Sequence, residues 1–128
     1  MRASLWFQDE RDQTNAELHE NGFLALAEDW RRDLQPVSHI YVCQIKNACS
    51  TGTVTIEVRE RQRRLADQYP GFVVHSTSGL QSHSDNCHYG YELGYRVLGE
   101  QLARLVLRDV FGHAQPTQVA APNLGSAW

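Results

Sequence analysis

Residues 39–45 read HIYVCQI, a largely apolar run that is rich in β-branched and aromatic residues. A strand with one face in water alternates apolar and polar side chains, whereas a strand covered on both faces is apolar almost throughout. This run therefore predicts a strand inside a parallel sheet, with helices packed on both faces.

Two further runs are predicted as strands. Residues 2–8 (RASLWFQ) form a short apolar stretch that ends in polar residues. Residues 72–75 (FVVH) follow Pro70-Gly71, a pair of residues that breaks the preceding segment. The chain thus has three candidate strands, spaced far enough apart for a helix between each pair.

Three segments have helical periodicity and are predicted as helices: residues 14–34, about 55–69 and about 91–111. Thr14-x-x-Glu17 is a capping box at the start of the first helix. We expect that helix to end near Leu34, because Pro36 disfavours helical geometry at the residue before it.

Strands and helices therefore alternate along the chain, and this order is typical of α/β proteins with right-handed crossovers and a parallel sheet. Functional groups of such sheets collect beyond the carboxyl ends of the strands. The domain is expected to span residues 1–112, and a flexible tail without periodicity to follow over residues 113–128. Three strands make a thin sheet, so we expect further strands from missing sequence or a partner chain.

Composition argues against several classes of function. The 128 residues carry a net charge of −3 with scattered basic residues, so nucleic acid is not an expected partner. Arg59, Arg61, Arg63 and Arg64 alternate with acidic residues and are interpreted as a solvated helix face. No run is long enough for a transmembrane helix, and no apolar signal segment follows the N-terminus, so the default expectation is a cytoplasmic protein without a membrane partner.

Three cysteines, Cys43, Cys49 and Cys87, argue against a disulfide scaffold, although one bridge plus a free thiol stays open. His83, Cys87 and His88 would supply zinc ligands together with one of the other cysteines. No C-x-x-C or H-x-x-x-H pair supports such a site, and we expect neither a metal nor another cofactor.

The loop before the last helix contains the pattern with the most chemistry, Ser84-Asp85-Asn86-Cys87-His88. An aspartate three residues before a histidine can hold one imidazole nitrogen, which directs the other nitrogen outward as a general base. An aspartate that merely caps the following helix would produce the same pattern. The pattern is therefore weak on its own, and its context has to decide.

Three blocks together resemble the sialate O-acetylesterase-like carbohydrate esterases of the SGNH hydrolase superfamily. Residues 5–10 (LWFQDE) are similar to the family's Trp-[Tyr/His]-Gln-Gly-Glu block, and residues 57–69 (EVRERQRRLADQY) to its helix with an R-E-A-Q-R-R-L-A-like run. Residues 85–88 (DNCH) and 94–99 (GYRVLG) are similar to its D-x-x-H block and the following G-Y-x-x-L-G helix. The resemblance covers residues 2–111, but only as the later half of the family's domain.

The resemblance implies a flavodoxin-like three-layer α/β/α sandwich with a parallel sheet, here incomplete, with about three strands and three helices. It implies a Ser-His-Asp mechanism in which Asp85 and His88 are the acid and base members. Gln8 would lie at the edge of the oxyanion hole, and Glu10 would help to hold that loop. The expected substrate is an acetylated carbohydrate or a small ester, and a homo-oligomer or a complementing chain stays open.

Two departures from the family's pattern leave two hypotheses. The Gly-x-Ser-type block with the nucleophilic serine is absent from these residues, and Asp9 stands where the family usually has glycine. The first hypothesis is a carbohydrate O-acetyl ester hydrolase whose nucleophile is unknown because that block is missing. The alternative is a non-catalytic α/β module, either a degenerate esterase that binds carbohydrate or a module that needs a partner.

Overall fold

The computed structural model of the chain describes residues 2–8, 15–34, 36–46 and 54–114. Its helices and strands alternate as predicted: β1 (Ala3–Phe7), α1 (Ala16–Asp33), β2 (His39–Cys43), α2 (Val54–Gln68), β3 (Phe72–His75) and α3 (Arg96–Phe111). A π-helical turn, Tyr91–Tyr95, leads directly into α3. From residue 115 onward, the predicted tail lies outside the described residues.

The three strands form one parallel sheet in the order β1-β2-β3, which confirms the predicted α/β fold. Phe7 pairs with Cys43, and Cys43 pairs with His75, so the three strands end side by side at one edge of the sheet. Central strand β2 is buried from Ile40 onward, which accounts for its largely apolar sequence. The fold is consistent with an incomplete flavodoxin-like sandwich.

Helices cover both faces of the sheet. The main core lies under α1 and α2, and its buried members are Phe23, Ala27, Ile40, Val42, Leu65 and Phe72. Trp6 and Trp30 pack against this core with ring centroids 5.3 Å apart, so both tryptophans cover the sheet. On the opposite face, the hydroxyl of Tyr41 donates to Oδ2 of Asp109 in α3 at 3.1 Å.

The start of α1 differs from the prediction. Asn15 is the N-cap, because its side-chain oxygen accepts a hydrogen bond from the backbone N–H of Leu18 at 3.0 Å. The assignment of the cap to Thr14 is therefore wrong, and Thr14 itself lies outside the described residues. The end of α1 at Asp33 agrees with the expected end near Leu34. None of the helices in the described ranges is long and apolar enough to cross a membrane.

The arginine-rich face of α2 is solvated only in part. Arg63 and Arg64 form ion pairs with Glu60 at 2.8 and 2.9 Å, and their hydrogen bonds lower the pKa of Glu60 to about 2. Arg61 pairs with Glu20 of α1. Arg59 does not belong to this face, since its guanidinium turns inward over the ends of the strands.

Candidate active site

The loop between β3 and α3 folds into a short antiparallel hairpin that carries the predicted acid and base. Ser82 and Tyr89 form an isolated antiparallel bridge, and the backbone N–H of His83 donates to the carbonyl of His88 at 2.8 Å. At the tip, Asn86 has a left-handed φ of 57°, which asparagine tolerates better than most residues. The hairpin therefore has its own local hydrogen bonds and a defined turn.

Asp85 and His88 are in contact, as the sequence predicts. Oδ2 of Asp85 lies 2.7 Å from Nδ1 of His88, and Oδ1 accepts hydrogen bonds from the backbone N–H groups of Cys87 and His88, each at 2.9 Å. The hydrogen bond from the His88 side chain, followed by the two backbone hydrogen bonds, holds the pKa of Asp85 well below its usual range. The His88 side chain is 65% exposed, so it lies outside the apolar core.

One carboxylate thus binds the imidazole and caps the hairpin turn, but it does not cap the following helix, whose N-cap is Gly90 without a side-chain hydrogen bond. Oδ1 of Asp85 caps the turn, and Oδ2 binds the imidazole of His88. The same Oδ2 also lies 3.3 Å from Nδ1 of His83, which the sequence analysis considered only as a zinc ligand. When Nδ1 of His88 is held in this way, Nε2 is the nitrogen with which the imidazole would act as a base.

Lys46 lies beneath the hairpin and is the single lysine of the chain. Its Nζ donates to the carbonyl of Asn86 at 2.7 Å and to that of His88 at 3.2 Å. The residue is only 5% exposed. Sequence reasoning missed Lys46, although its place after the β2 run puts it at the carboxyl edge of the sheet.

Arg59 joins the loops that follow β2 and β3. Its guanidinium donates to the carbonyl of Ile45 and to the hydroxyls of Thr77 and Ser78, the latter two at 3.1 and 3.2 Å. Burial lowers the pKa of Arg59. The interpretation of Arg59 as part of a solvated face is therefore wrong, because its donors satisfy loop acceptors at the edge of the sheet.

Gln8 follows β1 at the same edge. Its Oε1 accepts a hydrogen bond from Nε1 of Trp6 at 3.2 Å, and it lines a cavity of about 480 Å³ between β1 and α1. The neighbouring ring of Phe7 stacks on Tyr89 of the hairpin, with centroids 6.4 Å apart. The end of β1 therefore packs against the base of the hairpin, whereas Glu10 lies outside the described residues.

The cysteines follow one of the alternatives that the sequence left open. Cys87 is disulfide-bonded, Cys43 is a buried free thiol, and Cys49 lies outside the described residues. Burial raises the pKa of Cys43 to about 12, which keeps this thiol protonated. A disulfide-bonded Cys87 has no thiolate with which to bind a zinc ion. In the described ranges, no three or more His, Cys, Asp or Glu side chains are grouped so that they could hold a metal ion.

Comparison with known proteins adds a family to this geometry. A family model described as carbohydrate esterase, sialic acid-specific acetylesterase matches residues 1–108. No curated protein and no solved structure gives a significant match. The matched range contains Gln8, Asp85 and His88, and it ends within α3. The chain therefore belongs to the family of carbohydrate esterases that includes the sialic acid-specific acetylesterases.

Proposed function

We propose that Asp85 and His88 are the acid and base members of a Ser-His-Asp carbohydrate O-acetyl esterase, and that the nucleophilic serine comes from outside these residues. The observation that carries the proposal is the 2.7 Å contact between the two side chains on an exposed hairpin, in a chain of a carbohydrate esterase family. A positioned carboxylate–imidazole pair is what a serine hydroxyl needs in order to become a nucleophile.

The proposed reaction uses each nitrogen of His88 for one task. Nε2 takes the proton of the serine hydroxyl while the serine oxygen attacks the acetyl carbonyl carbon. Asp85 holds Nδ1 and stabilises the imidazolium, which then gives its proton to the departing sugar oxygen. Water attacks the acetyl-serine in the same way, and acetate leaves as the serine recovers its proton.

Gln8 is proposed to stabilise the oxyanion of the tetrahedral intermediate. Its Oε1 accepts a hydrogen bond from the Trp6 indole, so the NH₂ group is the part of the amide that would donate to the oxyanion. An amide N–H aimed at the developing negative charge stabilises the transition state. Glu10 is proposed to hold the same loop, while the neighbouring Asp9 adds a negative charge that opposes this effect.

The outer edge of β1 is the place where we propose that a complementing segment binds. No strand of the described ranges pairs with this edge, and Leu5 and Phe7 are 56% and 39% exposed. Both residues also line a cavity of about 230 Å³ between β1 and α3. An edge strand with exposed apolar side chains is a template for another strand. A strand at this edge would end near the hairpin, where a serine is needed.

The test is to express the chain together with the sequence encoded directly upstream and to measure acetate release from an O-acetylated sugar. The proposal expects a Gly-x-Ser block there, and turnover that falls roughly a thousandfold or more in His88→Ala. His83→Gln is the matched control, because His83 contacts the same carboxylate oxygen and should leave most activity. An upstream sequence without such a serine, or full activity in His88→Ala, would reject the proposal.

The non-catalytic alternative has one observation in its favour, the absence of a Gly-x-Ser block from these residues. A carbohydrate-binding module would bind an O-acetylated sugar in a saturable manner, and neither the wild type nor His88→Ala would release acetate, even with the upstream sequence present. Isothermal titration with the acetylated and the deacetylated sugar measures this binding, and binding without acetate release separates this alternative from the esterase.

A further inference from the structure

We infer that Lys46 is a positioning residue for the Asp85–His88 pair, and that its ammonium group fixes the hairpin tip on which both side chains stand. The inference rests on the proposed function in so far as His88 is called a base. The geometry that it explains can be measured without any ester hydrolysis.

Lys46 bonds to the hairpin on both sides of Cys87. Its Nζ donates to the carbonyls of Asn86 and His88, at 2.7 and 3.2 Å. The two peptide units that follow Asn86 and Cys87 carry the N–H groups that bind Oδ1 of Asp85. One ammonium therefore holds the carbonyl side of the turn while the carboxylate holds its N–H side.

The hydrogen bonds of Lys46 are buried, whereas the contact between Asp85 and His88 that they support is exposed to solvent. Lys46 is 5% exposed and its Nζ lies 5.5 Å from the ring centroid of Tyr89. The side chains of Asp85 and His88 are 41% and 65% exposed. Exposed ion pairs fix geometry weakly, but hydrogen bonds from a buried charged donor are short and roughly twice as strong as neutral ones. The buried contact, together with the disulfide bond of Cys87, should therefore constrain the geometry of the exposed one.

The alternative is that Lys46 only stabilises the fold. The tautomer of His88, that is, which ring nitrogen of the neutral imidazole carries the proton, distinguishes the two roles. With the carboxylate in place, His88 should carry its proton on Nδ1, and histidine in water prefers Nε2. If the hairpin tip became mobile, a larger fraction of His88 would adopt the Nε2–H form that histidine prefers in water, even in a folded chain. Nitrogen-15 spectra of the imidazole report which ring nitrogen is protonated.

The experiment compares the wild-type chain with Lys46→Met and Lys46→Arg at about pH 8, well above the ordinary histidine pKa of about 6.5. Wild type and Lys46→Arg should show the Nδ1–H form of His88. Lys46→Met should show a mixture of the two forms, and the backbone amides of Cys87 and His88 should exchange about tenfold faster. The imidazole signals of His88 are assigned as those that disappear in His88→Gln. His83→Gln is the control, in which the His88 signals should stay unchanged.

An unchanged imidazole form and unchanged amide exchange in a folded Lys46→Met variant would overturn the inference. Should that variant fail to fold, the wild type labelled with ¹⁵N-lysine decides, because a single lysine gives a single Nζ signal. If the ammonium protons of Lys46 exchanged with water as fast as those of free lysine, the inference would be overturned. Slow exchange of these protons, together with an Nδ1–H form of His88 that is kept in Lys46→Arg, would support it. The expected spectra combined with a failed acetate assay would reject the proposed esterase and retain the role of Lys46.

Discussion

The ring of Phe7 stacks on the ring of Tyr89 with centroids 6.4 Å apart, and this contact joins the end of β1 to the hairpin. Tyr95, the last residue of the π-helical turn, packs edge-on against both rings. Gln8 and His88 are the sequence neighbours of the two stacked rings. The stacking of Phe7 on Tyr89 thus brings the end of β1 and the hairpin together, although they lie far apart in sequence.

We predict that the 128-residue chain alone hydrolyses acetyl esters at the background rate. A histidine base without its serine can at best activate water, because nucleophile and base act as a unit. The measurement is p-nitrophenyl acetate turnover by the purified chain and by His88→Ala, since free imidazole also reacts slowly with this ester. Turnover that disappears both in His88→Ala and in Ser84→Ala would show that the nucleophile lies within this chain.

Gly94 should be intolerant of a side chain. A Cβ at this position would lie 2.7 Å from Cβ of Tyr89 and 3.0 Å from the carbonyl oxygen of Gln81. We expect Gly94→Ala to lower the free energy of unfolding by about 1–3 kcal/mol. Gly99 in α3 has no atom within 4 Å of its Cβ position, so Gly99→Ala should raise that free energy by about 0.5–1 kcal/mol. Urea unfolding of both variants tests the pair, and equal effects would contradict it.

We expect the free energy of unfolding to decrease at acidic pH, because His75 is buried in its neutral form. This residue is fully buried, its Nε2 lies 3.0 Å from Oε1 of Gln101, and its Nδ1 has no hydrogen-bond partner among the described residues. Burial lowers the pKa of His75 in the folded chain. Below the ordinary pKa of about 6.5 the unfolded chain therefore binds a proton that the folded chain does not, and stability falls by up to about 1.4 kcal/mol per pH unit until the folded pKa is reached.

The measurement for His75 is Tm between about pH 8 and about pH 5.5 in the wild type and in His75→Gln. The variant should lose less of its Tm over this range, because it carries no titrating group at this position. His113→Gln, a change at an exposed residue beyond α3, should keep the wild-type dependence. A parallel decline in His75→Gln would contradict the assignment.

Self-association should proceed along the outer edge of β1 when no complementing segment is present. Leu5→Lys places a charge on this edge, and charges on edge strands oppose pairing with another chain. Sedimentation velocity should therefore show less association for Leu5→Lys than for the wild type. Ile56→Lys is the control, because Ile56 is a similarly exposed apolar residue on α2. A monodisperse wild-type monomer that unfolds cooperatively would contradict the prediction.

The sequence predicted those parts of the structure that depend on local pattern. All three strands, the three helices and the contact of Asp85 with His88 follow from periodicity and from spacing of a few residues. The cap of α1 was misassigned by one residue, because Thr14 and Asn15 are both good caps and only the backbone decides between them.

The roles of Arg59 and Lys46 could not be predicted in the same way. Arg59 lies on a helix with three other arginines, and its inward direction depends on carbonyl and hydroxyl acceptors from loops after two different strands. Lys46 meets carbonyls about forty residues further along the chain. Such contacts arise only once parallel pairing has brought the strand ends together.

The order of the strands has a consequence for folding kinetics. Each strand pairs with the next one in sequence, as Ala3 with His39 and Ile40 with Phe72, so no strand has to insert between two others. Pairing between consecutive strands keeps the loops to be closed shorter than in a strand order in which a later strand inserts between two earlier ones. The sheet can then grow strand by strand while the chain leaves the ribosome, and a segment encoded upstream would already be present at the outer edge of β1 when β2 and β3 emerge.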